Sequence, residues 1–162
     1  MINKEQKSGN NGLRILSLTA IEEILDDHMH WLESDRRMGM RADLSRANLR
    51  GVNLENKNLR LADLSFSNLE KANLINTNLV QADLSRARLT AADLHDAKLQ
   101  KANLFSSNLE RARLSWANLK NADLSYANLS YANLREANIS NTNFKGAILN
   151  SADIIITRTY VS

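Results

Sequence analysis

With 162 residues, no Cys and a formal net charge of +3, the chain leaves no room for a disulfide framework, a Cys-ligated metal or a thiol nucleophile. Its 43% hydrophobic and 24% charged residues are the mix of one folded domain, neither disordered nor membrane-embedded. Five Gly and no Pro are few for ordinary turns, so something else must turn this chain.

Residues 1–12, MINKEQKSGNNG, read as a disordered tail. They carry no apolar h-region, and nowhere do about 18 apolar residues run together, so neither a signal peptide nor a spanning helix is expected. The expected compartment is the cytoplasm, with no membrane partner. An N-terminal cap is expected over 13–41. LRILSL at 13–18 alternates, which suits a short strand or a segment packed beside a helix. Thr19 and Glu22 make a capping box, and Ile21, Ile24, Leu25, His28 and Leu32 share one face that Trp31 extends, predicting a helix over about 19–34. His28 and His30 are two apart and point in different directions, unlike metal ligands at i and i+4; His28 reads as packing and His30 as surface.

From Ala42 to Ile154 an apolar residue returns every five positions without a slip. It is Leu nineteen times, from Leu44 to Leu134, then Ile139, Phe144, Leu149 and Ile154, in 23 units. Five is the period of neither a helical face nor a strand face. Two residues before each centre stands Ala in 17 of the 23 units, the exceptions being Val52, Lys57, Ser67, Thr77, Ser107 and Thr142. In extended backbone, residues two apart point the same way, so each Ala and its Leu share an inward face. A quarter turn after every five residues aims all these pairs at one axis and closes a coil of twenty. Coils stacked roughly 4.8 Å apart give nearly six coils and a rod on the order of 28 Å long, and a ladder between coils explains the missing Pro. Between Ala and Leu stands Asn thirteen times and Asp six, with Arg88, Lys98, Arg113 and Ile148 as departures. Asn and Asp tolerate turn conformations and bond neighbouring backbone, so they read as structural. Lys57, a charge at an inward position, must snorkel, bulge outward or find a buried partner, and the sequence leaves open which.

The A-(D/N)-L-x-x units, as in QADLSRARL, NADLSYANL and SYANL, resemble the pentapeptide-repeat family over residues 42–156. The resemblance implies an all-β solenoid, a right-handed quadrilateral β-helix whose centre and minus-two residues point inward, followed by a C-terminal tail at 157–162. It implies little about function, because the same repeat carries different surfaces.

Open ends of a coil stack need covering. The predicted α-helix caps the N-terminal end. The C-terminal end has only ADIIITRTYVS, strongly β-forming. A homodimer through this C-terminal coil, at Ile154, Ile155, Ile156 and Tyr160, is the expectation.

Period twenty places residues on one face. The column Asp43, Asp63, Asp83, Asn103, Asp123 reads first as turn-forming and second as an attraction for a cation or a basic partner. Arg46, Phe66, Arg86, Phe105, Tyr126 and Tyr131 gather on one face and its adjoining corner, the candidate protein-binding surface. Guanidinium and ring in adjacent coils, Arg111 beneath Tyr131 included, are placed to stack, which serves either the rod itself or a partner. His95 near Asp93 and Asp96 reads as a solvated corner rather than a metal site. No phosphate-binding glycine loop occurs, and a filled interior predicts no concave pocket, so neither catalysis nor a cofactor is expected.

Three functional readings follow. The first is a non-catalytic protein–protein interaction module, a rigid rod with an unidentified protein partner. The second comes from the resemblance, since some relatives modulate DNA gyrase or topoisomerase by imitating DNA. Residues 41–162 hold 16 Lys and Arg against 11 Asp and Glu, a balance of +5 that disfavours such mimicry. The third is nucleic-acid binding through Arg86, Arg88, Lys98, Lys101, Arg111 and Arg113 in the middle coils. These spread around all four faces, whereas a backbone-tracking groove needs them on one.

Overall fold

The computed structural model describes the backbone of Lys7–Ser8 and residues 12–155. Along the repeats every bridge is parallel and joins a residue to the one twenty positions on, from Asp43–Asp63 to Asn133–Asp153. Twenty residues therefore make one coil and five make one side of a four-sided β-helix. The Leu centres from Leu44 to Leu134 are at most 1% exposed, and so are the Ala residues beside them. One continuous apolar column fills the interior.

Each unit of five has five backbone N–H groups, and a single unit shows where they go. The Ala122 amide closes a turn onto the Leu119 carbonyl (2.8 Å). Asp123 donates back to Ala102 in the preceding coil (2.9 Å), while Leu124 and Tyr126 donate forward to Asn143 (2.8 Å) and Lys145 (2.9 Å). The fifth, Ser125 N–H, donates to the Asp123 carboxylate Oδ1 at 2.9 Å. The same side-chain acceptance from two residues on recurs at Asp63, Asn73, Asp83, Asn103 and Asn128. Asn and Asp are thus needed to satisfy the amide that the ladder leaves over, each such bond contributing about 1 kcal/mol.

Those Asn and Asp residues sit in the bridges and bond neighbouring backbone, as expected of structural residues, while the corners lie elsewhere in each unit. The corner is the last residue of each unit. All 22 such positions from Arg46 to Ser151 have φ between +51° and +69°, yet only Gly51 and Gly146 are glycine. With positive φ at its third residue and a bond from fourth to first, each corner is a type II turn. Arg, Lys, Phe, Tyr and Trp accept a conformation costing on the order of 1 kcal/mol or more each because the corner N–H is fixed to the next coil and its neighbour to the turn carbonyl. Gly146 has a second reason to be glycine, since a Cβ there would meet the Tyr126 ring at 2.8 Å.

The inward departures resolve individually. Ser67 and Ser107 donate to the carbonyls of Leu64 and Leu104 (2.7 and 2.8 Å), and Thr77 and Thr142 to those of Leu54 and Leu119 (both 2.8 Å). Lys57 turns outward: it is exposed and borders a cleft of about 190 Å³ with Leu25, Asp26 and Met29.

Ahead of the coils, β1 (Lys7–Ser8) pairs antiparallel with β2 (Arg14–Ile15), so these two residues depart from the disordered tail expected over 1–12; residues 1–6 and 9–11 lie outside the described residues. β2 also extends the first coil, with Arg14 N–H donating to Arg46 (2.7 Å) and Asn48 N–H to Arg14 (2.8 Å). Helix α1 (Leu18–Glu33) starts one residue before the prediction, and its N-cap is Ser17, whose Oγ accepts from Ala20 N–H at 3.1 Å. Thr19 lies inside the first turn, so the expected capping box does not form. The helix buries Ile21, Leu25 and His28, and Ile21 and Leu25 join the same apolar column as the coils. Gly39, with φ +72°, lets the return loop pass α1, because a Cβ there would overlap the Asp27 carbonyl.

Candidate protein-binding face

Every corner side chain is expelled from the rod, because the inward direction belongs to the Ala and Leu of the same unit. Corners one coil apart lie directly over each other, and this brings the predicted aromatic and Arg residues into contact. The Arg46 guanidinium stands 4.8 Å from the Phe66 ring centre and that of Arg86 5.4 Å from it. Phe66 is thus held between two cations, one in each adjacent coil. At the neighbouring corner Arg111 stands 5.3 Å from the Tyr131 ring. Phe105 and Tyr126 meet edge to face at 5.7 Å. All six predicted face residues are accounted for by these contacts, and Phe66, Tyr126 and Tyr131 remain 39%, 55% and 57% exposed. Trp116, also exposed, is not among these pairs.

The sequence predicted no concavity, but the same face carries one. An open groove of roughly 510 Å³ runs over Ser85, Ala102, Asn103 and Asp123, with Phe66, Arg86 and Phe105 along one side and Lys101 and Asn121 along the other. A filled interior says nothing of relief on the outer faces, and the signal for this groove in the sequence is the placement of Phe105 one residue ahead of the corner occupied by Phe66 and Tyr126.

The acidic column is engaged in the fold. Asp43, Asp63, Asp83 and Asp123 each accept from the amide two residues on, and Asn103 and Asn143 donate to Asp83 and Asp123 at 3.1 and 3.0 Å. The Asp43 carboxyl is held below the usual carboxylate range: burial pushes it up, but hydrogen bonds from the Ser45 hydroxyl and amide and the Arg14 charge prevail. Half of the basic girdle is ion-paired, Arg88 with Glu70 (3.5 Å), Arg111 with Glu110 (3.0 Å) and Arg113 with Asp93 (3.0 Å).

His95 links to Ser115 Oγ through Nδ1 (2.8 Å) and to Asp96 through Nε2 (3.3 Å), on a corner where its side chain is 36% exposed and that of Asp96 56%. Among the described residues no group of three or more His, Cys, Asp or Glu is placed to hold a metal ion. No helix of the described residues is long and apolar enough to cross a membrane. At the far end the column becomes exposed, Leu149 to 38% and Ile154 to 39%, with the neighbouring Ile155 43% exposed. Ile156 and Tyr160, the rest of the expected dimer end, lie outside the described residues.

A family model described as pentapeptide repeats matches in 8 copies, over residues 42–79, 67–104, 97–134 and 127–155. Among solved structures, Rfr23, a pentapeptide repeat protein from the cyanobacterium Cyanothece 51142, is 29% identical, with 82% of this chain and 99% of that chain covered and a TM-score of 0.46. HetL, a pentapeptide repeat protein involved in heterocyst differentiation regulation from Nostoc sp. strain PCC 7120, is 29% identical, with 76% of each chain covered and a TM-score of 0.39. The protein alr5209 from Nostoc PCC 7120 is 31% identical, covering 80% and 93%, with a TM-score of 0.32. A comparison with curated protein sequences finds no match.

Proposed function

The chain belongs to the pentapeptide repeat family, and from that premise we propose that it is a non-catalytic interaction module, a right-handed quadrilateral β-helix of nearly six coils that presents one aromatic and guanidinium face to a protein partner. The observation that carries this reading is the gathering of Arg46, Phe66, Arg86, Phe105, Tyr126 and Tyr131 on that face and its adjoining corner, in three stacked groups whose rings Phe66, Tyr126 and Tyr131 remain exposed. Exposed rings and Arg are the residues that interfaces favour, and stacking holds them in one geometry before a partner arrives. In this reading α1 is the lid of the N-terminal end, and the cytoplasm is the compartment in which the rod works.

The test is a pull-down from a lysate of the source organism, comparing the unaltered chain with a Phe66→Ser, Tyr126→Ser double variant. A protein retained by the former and lost by the latter is the expected result; identical eluates would remove the face from the proposal. Both alternatives involving DNA face the charges described above: a balance of +5 opposes mimicry of DNA, and paired Arg88, Arg111 and Arg113 weaken a phosphate-tracking surface.

We also propose that two copies meet through the C-terminal coil. The support is the exposure of Leu149 and Ile154 at a sheet edge, where the preceding coil buries the equivalent Leu129 and Leu134, with Ile148 and Ile155 exposed beside them. Sedimentation equilibrium is expected to return a dimer, and Leu149→Lys, Ile154→Lys a monomer. A monomer for the unaltered chain at micromolar concentration would end this idea.

A further inference from the structure

Resting on the docking reading of this face, we propose that the groove takes an acidic peptide segment, with a carboxylate side chain beside one bulky apolar one. The slot comes from a shift of one residue in the repeat. The corner column of this edge runs Arg46, Phe66, Arg86, Ser106, Tyr126, and in the coil of Ser106 the ring stands instead at Phe105, on the face. Phe66 and Phe105 are thereby two coils apart, roughly 10 Å along the rod by the spacing of stacked strands, with the small Ser85 between them. That is room for one side chain over Ser85, with the Phe105 ring on one side and Arg86 stacked on Phe66 on the other, an arrangement in which buried apolar anchors supply most of the binding.

The charges of the lining choose the rest of the ligand. Arg86 and Lys101 face the groove from opposite sides. Against them stands Asp123, whose Oδ1 already accepts from the Ser125 amide, the Ser125 hydroxyl and Asn143 Nδ2. Asp83 beneath is likewise engaged by the Ser85 amide and Asn103 Nδ2. The charged donors facing a ligand are therefore Arg86 and Lys101, beside the neutral Ser85 and Asn121. Arg86 is braced by its stack on Phe66, so its planar fork is presented with little entropy left to lose on meeting a carboxylate. A basic peptide would bring its charges between Arg86 and Lys101, where like charges repel.

Three labelled peptides test this with the full chain: Gly-Asp-Phe-Glu-Asp-Gly, its basic twin Gly-Lys-Phe-Lys-Lys-Gly, and its truncated twin Gly-Asp-Ala-Glu-Asp-Gly. Binding is read by fluorescence anisotropy, and the site by amide shifts of Ser85 and Phe105 in a nitrogen–proton correlation spectrum. The acidic aromatic probe is expected to bind in the groove at least tenfold more tightly than either twin. Arg86→Glu and, as a milder change at an exposed corner, Lys101→Gln are each expected to weaken it. Equal or tighter binding of the basic twin at the same amides would overturn the acidic assignment and leave the docking face standing. No shift at the groove with any of the three would also overturn the assignment, and the pull-down would then judge the face independently.

Discussion

Leu94→Asp is expected to abolish the cooperative unfolding transition of the rod. Leu94 is fully buried, with Leu74 and Leu114, its counterparts one coil to either side, also buried. The interior is filled by Leu and Ala alone at this level, so a carboxylate placed there has no cation or donor within its own layer and no path to solvent. An ionised group left unpaired in such surroundings costs more than about 4 kcal/mol, a large share of the stability of a domain this size. Stability in a solenoid is approximately a sum over neighbouring coils, so one disrupted layer breaks the interfaces on both sides of it. Far-UV circular dichroism on heating reads the result. Leu94→Ala serves as the intermediate case, expected to cost about 2–5 kcal/mol from lost contacts and the residual cavity. Tyr126→Ser is the contrast: its ring is 55% exposed, and the variant is expected to keep its fold and its transition. Equal collapse of Tyr126→Ser and Leu94→Asp would refute the assignment of Tyr126 to the surface.

The second large effect is one of pH. His28 is fully buried between α1 and the first coil, its Nδ1 accepting from the Ala42 amide at 3.1 Å. The neutral ring therefore carries its proton on Nε2, and it stacks on Trp31 at 5.6 Å. Burial pushes the imidazole below its ordinary value of 6.5; the Arg60 carbonyl opposes this from outside hydrogen-bonding geometry, and the Arg41 charge adds to the lowering. The unfolded chain thus binds the proton more readily than the folded one, so stability rises with pH in this range. The contribution of neutral His28 is fully present above about 6.5 and is lost as the pH falls through the lower folded value. Protonation also replaces the acceptor at Nδ1 with a second donor facing the Ala42 N–H. Acid is expected to lower the hydrogen-exchange protection of residues 18–33 while that of the middle coils holds, and to change the emission of Trp31. His28→Gln, which keeps an acceptor but does not titrate, should flatten this dependence between pH 7.5 and 5, values set by the range about the imidazole pKa. An unchanged slope in His28→Gln would show that another group is responsible.

What the sequence disclosed and what it concealed divide along physical lines. Leu at every fifth position and Ala two residues before it were legible because burial leaves no freedom at those sites. Stacking of Arg46, Phe66 and Arg86 followed directly from the period of twenty. The backbone of the corners was not legible. Arg46, Phe66, Trp116 and Tyr126 have no intrinsic taste for positive φ, and it is the ladder between distant residues that overrides them. Asn and Asp were legible as structural residues bonding neighbouring backbone, but that the amide they satisfy is the one the ladder leaves over follows only from the pairing of distant coils. Local signals misled at α1, where Ser17 rather than Thr19 caps the helix. Lys57 was undecidable from sequence because its escape depends on the open edge beside α1. The groove was hidden for another reason: its shape arises from a single ring moved by one residue along the stacked coils, a difference that composition and periodicity both average away.

The twenty-residue register of the bridges has a bearing on how such a chain tolerates insertion and deletion. Gaining or losing twenty residues at a corner changes the length of the rod and leaves each downstream residue on its original side. Gaining or losing five keeps every Leu inside, but it rotates all downstream sides by a quarter turn relative to those upstream. After such an event between Arg86 and Phe105 the interior would be intact, while Phe66 and Tyr126 would no longer share an edge. Interior and exterior therefore read the same chain with different arithmetic, and whole-coil changes are the ones that satisfy both.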